Sequence, residues 1–483
     1  MKQIKQYVST KILDLVDSLP KFRRGVVASL QSIRDHQRKR SSQEFQDHKA
    51  PEGTLINLKQ LVMVATFEFE DFRTIQNGFK RLFPKNENIL KFIKDLKSKE
   101  NDIHSLSWHN VGIVTAEKGR FFPDTMVIND LPDCVEYVQL TYHRIMPSFV
   151  AIVFSFELKK EISDELRKIQ NREHLSQVIF KKLWPIHKLH HGYSMGGGKS
   201  GASEAIELEL YDKKIEFQKW VQNNFKWNIA KSKNVSFVDV YEIKGNPTGK
   251  KELKEWQESN RRWLADYGIR TRGFNTFDNE ELIYCRENNN LSSCEIIVKF
   301  ETAEKSHHGD FFEYKARSVA VISALYSVIE KYRNKLEKLR ALGFKSLNNV
   351  NNKLLKKGAR IQDFKKLVTL ISRVEHEIVH SRHWIVSLIS EIGTLNDTRG
   401  KNVNIGDIVV KNAEYQIELI KKSANIIDTG LTSYLSVQSI YVMYKLQRWM
   451  FILSIVVTLA TIVGVLTGWE KLKEFWYILT NLV

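Results

Sequence analysis

An α+β region in water, a stalk of long helices and one C-terminal transmembrane helix make up the architecture this sequence predicts. Three observations predict it. Trp449 to Trp469 (WMFILSIVVTLATIVGVLTGW) is a run of 21 residues without a charge. Between residues 50 and 300, β-branched and aromatic runs alternate with stretches of helical periodicity. Beyond residue 311 the strand signals fade, and apolar residues recur at helical spacing up to the uncharged run.

The uncharged run carries most weight. About 20 apolar residues in a helix match a hydrocarbon core of about 30 Å. Trp449 and Trp469 stand where an aromatic belt is expected, with Arg448 and Glu470 just outside. The rest of the chain has the composition of a folded aqueous protein, with 42% hydrophobic and 27% charged residues, so the span is an attachment. Lys445 and Arg448 precede it, while Glu470, Lys471, Lys473 and Glu474 cancel after it, which places the bulk of the chain in the cytoplasm, at the inner or plasma membrane. Met1 to Pro20 mixes lysine and aspartate with apolar residues and does not read as a secretory leader. Cys134, Cys285 and Cys294 form no C-x-x-C pair and no disulfide framework, as suits a reducing compartment.

In chain order, residues 1–49 form an N-terminal helical segment, with Ile4, Val8, Ile12, Leu15, Val16 and Leu19 at helical spacing. An α+β domain follows over 50–183. Its strands are expected at Leu61–Phe69, Val111–Thr115, Thr125–Ile128, Val135–Tyr142 and Phe149–Phe156, the last two as a hairpin or adjacent strands, with helices at Glu87–Lys97 and Lys159–Lys182. Residues 184–203 read as a flexible linker holding His187, His190 and His191. Gly198-Lys-Ser200 has the ending of a phosphate loop, but the motif requires glycine at 193 and the residue is Tyr193, which argues against a nucleotide triphosphatase. A second α+β segment over 204–300 has a helix at Glu207–Ile229, a strand at Val235–Ile243 and a hairpin from Leu282–Arg286 and Glu295–Phe300. Arg270 and Arg272, flanked by Gly268 and Gly273, are candidates for holding an anionic small ligand. The stalk, 311–448, comprises helices at Phe311–Leu342, Ile361–Ile392 and Val403–Arg448, with near-heptad apolar positions of coiled-coil type. The span, 449–469, is followed by a short interfacial tail, 470–483, too short to cross again.

The net charge of +18 fits anionic headgroups or an acidic ligand. The basic residues are dispersed and no zinc finger accompanies them, so nucleic acid is not specifically indicated.

One motif could carry chemistry. His376-Glu377-Ile378-Val379-His380 is a literal H-E-x-x-H on a stalk helix. Histidines at i and i+4 rise on one face and can grip a zinc ion, with the glutamate as general base on bound water. The motif resembles that of zinc metallopeptidases, which implies metal ligands His376 and His380 and catalytic Glu377. Arg382 and the absence of a glycine-containing third-ligand extension depart from that pattern. The apolar seam of this helix is Phe364, Leu367, Ile371, Val374, Ile378, Ile385 and Ile389, and His376, His380 and His383 form a separate stripe.

Cytosolic α+β region, helical stalk, then a long helix entering the membrane, with Thr432 to Ser439 ahead of Trp449: this layout over roughly 310–470 resembles the CorA-type magnesium transporters. The resemblance implies a homo-oligomer, a pentamer in that family, whose long helix lines a channel. The family's Gly-Met-Asn motif is absent here, where the chain reads Leu466-Thr-Gly-Trp-Glu470, so magnesium selectivity does not come with it. The functional expectation is a membrane-anchored homo-oligomeric sensor or effector whose cytosolic domain binds a ligand or partner, with ion-channel activity as its finer form. The alternatives are the zinc metallopeptidase and a non-gating membrane-tethered scaffold.

Overall fold

The computed structural model describes residues 2–21, 26–68, 72–84, 87, 89, 91, 92, 94, 107–116, 125–127, 131–172, 174, 178–180, 193–195, 201–225, 235–245, 250–271, 276–278, 282–288, 293–301, 310–347, 354–397 and 400–480. The chain divides into two compact units. The first comprises 1–332 and 373–417, the second 333–372 and 418–483.

The first unit is built on one sheet. Its strands are β1 (Leu55–Glu68), β2 (Trp108–Thr115), β3 (Thr125–Val127), β4 (Val135–Met146), β5 (Phe149–Leu158), β8 (Val235–Lys244), β9 (Thr276–Asp278), β10 (Leu282–Asn288), β11 (Ser293–Glu301), β12 (Thr394–Asn396) and β13 (Asn402–Asn404). β6 (Val178–Phe180) and β7 (Tyr193–Met195) pair separately. The sheet order is β13-β12-β9-β10-β11-β8-β1-β5-β4-β2-β3. The two α+β segments read separately in the sequence therefore share one sheet, joined where β1 runs antiparallel to β8 with Val62 opposite Val238. The hairpin of β4 and β5 forms around Pro147 and Ser148. Each half runs from a long strand through intervening elements to a meander that returns beside it. The return, β5, is antiparallel to β1 in the first half, and the return, β11, is parallel to β8 in the second.

The centre of the sheet is buried on both faces, which is why β1 reads as a near-continuous apolar run (LVMVATF) instead of an alternating one. One face packs on helices α3 (Phe72–Leu82), α4 (Lys160–Gln170), α5 (Gly201–Phe225), α6 (Lys250–Ser259) and α7 (Arg261–Asp266), which follow the N-terminal pair α1 (Lys2–Asp17) and α2 (Val26–Asp47). Leu61, Met63 and Ala65 of β1 meet Phe79 of α3, Phe217, Trp220 and Phe225 of α5 and Trp263 of α7 in one cluster. Phe156 stacks on Phe217 with ring centroids 4.3 Å apart. Each such side chain contributes about 1.5–3 kcal/mol by leaving water. The helix expected over Lys159–Lys182 ends at Gln170. Val178-Ile-Phe180, with two β-branched residues, goes to a strand instead.

The opposite face carries helix α8 (Asp310–Leu347). Thr66 Oγ1 and Ser327 Oγ lie 2.9 Å apart, Lys331 pairs with Glu68 at 2.5 Å, and Phe149 meets Tyr332 edge to face. Helix α9 (Leu354–His380), α10 (Arg382–Ile389) and the last helix, α11 (Ile405–Thr480, 76 residues), complete the chain. Residues 310–332 and 373–417 belong to the sheet unit, so much of what reads as stalk is part of the α/β domain. In the second unit Leu336, Phe364, Leu367, Ile371, Ile420 and Ala424 are buried. No described residue of α11 after Ala424 is buried.

Candidate functional site

The H-E-x-x-H pentad ends helix α9, where the chain kinks at Ser381 before α10. The structure brings its histidines together and turns its glutamate elsewhere. His376 and His380 are exposed, and their rings stack with centroids 5.4 Å apart and planes 16° from parallel. His383 is exposed as well. Glu377 is buried and faces the β4–β5 turn. Its Oε1 accepts from Ser148 Oγ at 2.5 Å and from Arg373 Nε at 2.9 Å, and its Oε2 accepts from the Ser148 backbone N–H at 3.0 Å. These charge-assisted bonds use the oxygens that a general base would offer to water. Among the described residues no group of three or more His, Cys, Asp or Glu is placed to hold a metal ion. The pentad presents two imidazoles on one face and Glu377, on another, as a latch to the β4–β5 turn.

The latch is part of a larger fastening. Trp384 Nε1 of α10 donates to the Arg144 carbonyl at 2.9 Å, next to the same turn. On β4, His143 is fully enclosed. It stacks beside Trp108, its Nε2 lies 3.0 Å from Thr141 Oγ1, and burial, reinforced by the Arg317 charge, lowers its pKa to about 3. It is a neutral core histidine at physiological pH.

A second polar cluster joins the sheet to the start of α11. Glu295 of β11 accepts from Tyr284 OH at 2.6 Å and pairs with Arg286 Nε at 3.3 Å. Burial raises the Glu295 pKa, against the pull of Arg286 and the Tyr284 hydrogen bond. The Arg286 guanidinium lies 4.2 Å from the centre of the Tyr326 ring on α8, and Asn412 Nδ2 of α11 donates to Tyr326 OH at 3.1 Å. Arg382 of α10 reaches Asp407 and Glu414 on the same helix at 3.3 and 3.7 Å. Sequence reasoning missed both clusters, because their members lie far apart in the chain and carry no shared motif. The one available signal was polar residues such as Glu295 inside otherwise apolar runs.

No family model, no curated protein and no solved structure matches this chain. Geometry and chemistry alone carry the reading. Arg270 is exposed beyond α7, while Arg272, His187, His190, His191 and Gly198–Ser200 lie outside the described residues.

At the membrane end, Ser439–Glu474 of α11 has a mean hydropathy of 2.5 in its most apolar window and none of that window is buried. The helix continues to Thr480, past the charges at 470–474. The protein is tethered to a membrane by this one helix, with its α/β domain in the cytosol. Thr458 Oγ1 and Thr461 Oγ1 donate to the carbonyls of Ser454 and Val457, each at 2.8 Å, so the hydroxyls are satisfied inside their own helix.

Proposed function

We propose that this protein is a membrane-anchored sensor and effector that works as a homo-oligomer assembled through α11, its cytosolic domain receiving a ligand and its clustered spans acting on the membrane, with ion conduction as the finer form of that action. One observation carries the reading. From Asn425 onward no described residue of α11 is buried, yet the part ahead of the uncharged run Trp449–Trp469 is rich in apolar and aromatic residues. Ile426 is 74% exposed, and Val437, Ile440 and Tyr441 are each 66% exposed. Burial of such side chains is worth about 1.5–3 kcal/mol each. A helix leaving them in water gains by packing on others like it, and copies anchored in the same bilayer present the same helix at the same height. Gly464 and Gly468, with open space where a Cβ would be, let backbones approach closely inside the membrane.

A continuous helix of 76 residues spans about 114 Å. Asp407, Asn412 and Glu414 of α11 join its start to Arg382 and Tyr326 of the α/β unit, so a rearrangement of that unit is passed into this helix. One span cannot enclose an aqueous path, so conduction requires several copies around an axis. The layout resemblance to CorA-type transporters supports the same arrangement.

The test is mass measurement of the full chain in nanodiscs, paired with ion flux from sealed liposomes. A ring of three or more chains is expected. A strictly monomeric particle would overturn the reading. An oligomer silent to flux would favour a tethered scaffold. If flux occurs, replacing Thr458 or Thr461 by leucine tests whether either hydroxyl faces the path, and unchanged flux places both away from it.

A further inference from the structure

The chain's positive charge is concentrated in one place. Residues 333–372, the end of α8 and the first part of α9, carry eleven lysines and arginines against two carboxylates, Glu337 and Asp363. That is a net +9, half of the chain's +18, in 40 residues. The sheet unit, 1–332 and 373–417, carries only +7. A helical hairpin so short of acid repels itself, and a negative surface relieves that repulsion.

Packing turns these cations outward. On α9, Phe364, Leu367 and Ile371 are buried, which leaves Lys365 and Lys366 exposed on the other side. On α8, Leu336 is buried, while Lys338 and Arg340 are exposed. Glu337 is engaged by Arg340 at 3.4 Å, whereas Lys338, Lys365 and Lys366 make no ion pair among the described residues. In the sheet unit, by contrast, Arg34 is held by Asp14 and Asp17, Lys214 by Asp239 and Arg382 by Asp407.

The hairpin belongs to the same unit as the span. The hydrogen bond between Asn412 of α11 and Tyr326 of α8 sets the two helices in register shortly before each enters that unit. From there α8 runs 15 residues, about 22 Å, to its end at Leu347, and α11 runs 31 residues, about 46 Å, to Trp449. Both leave the sheet unit in chain direction, so the closed end of the hairpin points the way α11 goes. The headgroup layer takes up about 5–8 Å of the difference in length. A lean within the range of about 0–40° that spans adopt lowers the hairpin further, to within about one Debye length, ~8 Å at physiological salt.

We propose that the basic hairpin of α8 and α9 docks on anionic lipid headgroups of the bilayer that α11 crosses, a second contact with the membrane besides the span. The span holds the hairpin near that surface, so headgroups meet it at high effective concentration. A cluster of about 4–8 lysines and arginines beside a span is enough to recognise anionic lipid. Nucleic acid is the weaker fit, because no exposed aromatic ring for stacking bases stands among the described residues of the hairpin. The contact requires only the tether, so it goes beyond the assembly reading and is tested apart from it.

The test is amine acylation of the full chain in nanodiscs, read lysine by lysine by mass spectrometry. Discs of phosphatidylcholine are compared with discs containing about 30% phosphatidylserine. At physiological salt the serine lipid should slow acylation of Lys338, Lys365 and Lys366 by about threefold or more, and about 1 M salt, with a Debye length of about 3 Å, should abolish the difference. Lys39 and Lys411, exposed in the sheet unit, should react equally in both discs. A Lys338→Glu, Lys365→Glu, Lys366→Glu variant, changed only at exposed positions, should lose the protection at the remaining hairpin lysines with an unaltered melting temperature. Equal hairpin rates in the two discs, equal slowing at Lys39 and Lys411, or protection that follows particle mass instead of lipid charge would each overturn the proposal. So would protection by a single-stranded RNA but not by phosphatidylserine, which would assign the face to nucleic acid. A monomer whose hairpin is protected would remove the assembly and leave the lipid contact. An assembled protein with an unprotected hairpin would remove the lipid contact and leave the assembly.

Discussion

Helix α11 is one element in two environments. Over its first turns Ile405, Val409, Val410, Ala413 and Ile417 are buried against the α/β unit. Further along, Val437, Ile440 and Tyr441 have the same apolar character and stand open. Backbone hydrogen bonding is the same throughout, so the helix itself does not explain the difference. The first stretch has its partner within the chain. The second has lipid over the span and, in the assembly proposed above, other copies ahead of it. A sequence pattern of apolar positions states that something must cover a face, and not what covers it.

The largest expected effect is at the membrane end. Truncation before Trp449 should move the protein from the carbonate-washed membrane fraction to the soluble one. A truncated chain that stays on the membrane would mean that attachment resides elsewhere.

Paired substitutions at a buried and an open position of α11 come next in size. Ile417→Asp places an unpaired charge at a fully buried site and should destabilise the α/β unit by more than about 4 kcal/mol, read by chemical denaturation. Val437→Asp, at an open site, should leave that unfolding transition in place and lower the oligomer mass. Equal effects at the two positions would erase the distinction between the environments.

A smaller contrast lies within the H-E-x-x-H pentad. Glu377→Ala strips Ser148 and Arg373 of their acceptor and should cost about 2–3 kcal/mol. His376→Ala with His380→Ala should leave stability unchanged. Elemental analysis of the purified protein with and without the two histidines tests a metal role separately. One zinc per chain, lost in the double variant, would give the histidine face a function independent of Glu377.

A further contrast lies in pH dependence. His143 titrates near pH 6.5 when unfolded and is lowered to about 3 when folded. The unfolded chain therefore binds the extra proton first. The contribution is fully present above about pH 6.5 and falls, by up to about 1.4 kcal/mol per pH unit, as pH drops through that window towards 3. Replacing His143 with leucine should flatten this part of the acid-unfolding curve. An unchanged curve would show that the ring is not the group responsible.

Much of the fold was legible because its signals are local. The strands at Val111–Thr115, Val135–Tyr142, Phe149–Phe156 and Val235–Ile243 lie where β-branched and aromatic residues cluster. The apolar seam through Phe364, Leu367, Ile371, Val374 and Ile378 is buried as its period requires. The candidate site was less legible. The pentad's spacing correctly predicted neighbouring histidines, but where Glu377 points depends on Ser148, a partner 229 residues away.

By itself the sequence determined the uncharged span, the positions of most strands and helices and the cytosolic side, since each depends on residues close enough in the chain to be read as a period or a run. Tertiary structure alone decided that two α+β segments share one sheet through β1 and β8, that Glu377 serves the β4–β5 turn, and that the first turns of α11 belong to the domain. Those outcomes depend on which buried surfaces and polar groups meet across long chain separations. Period and composition along the chain do not encode such meetings; the packing of the whole core selects them.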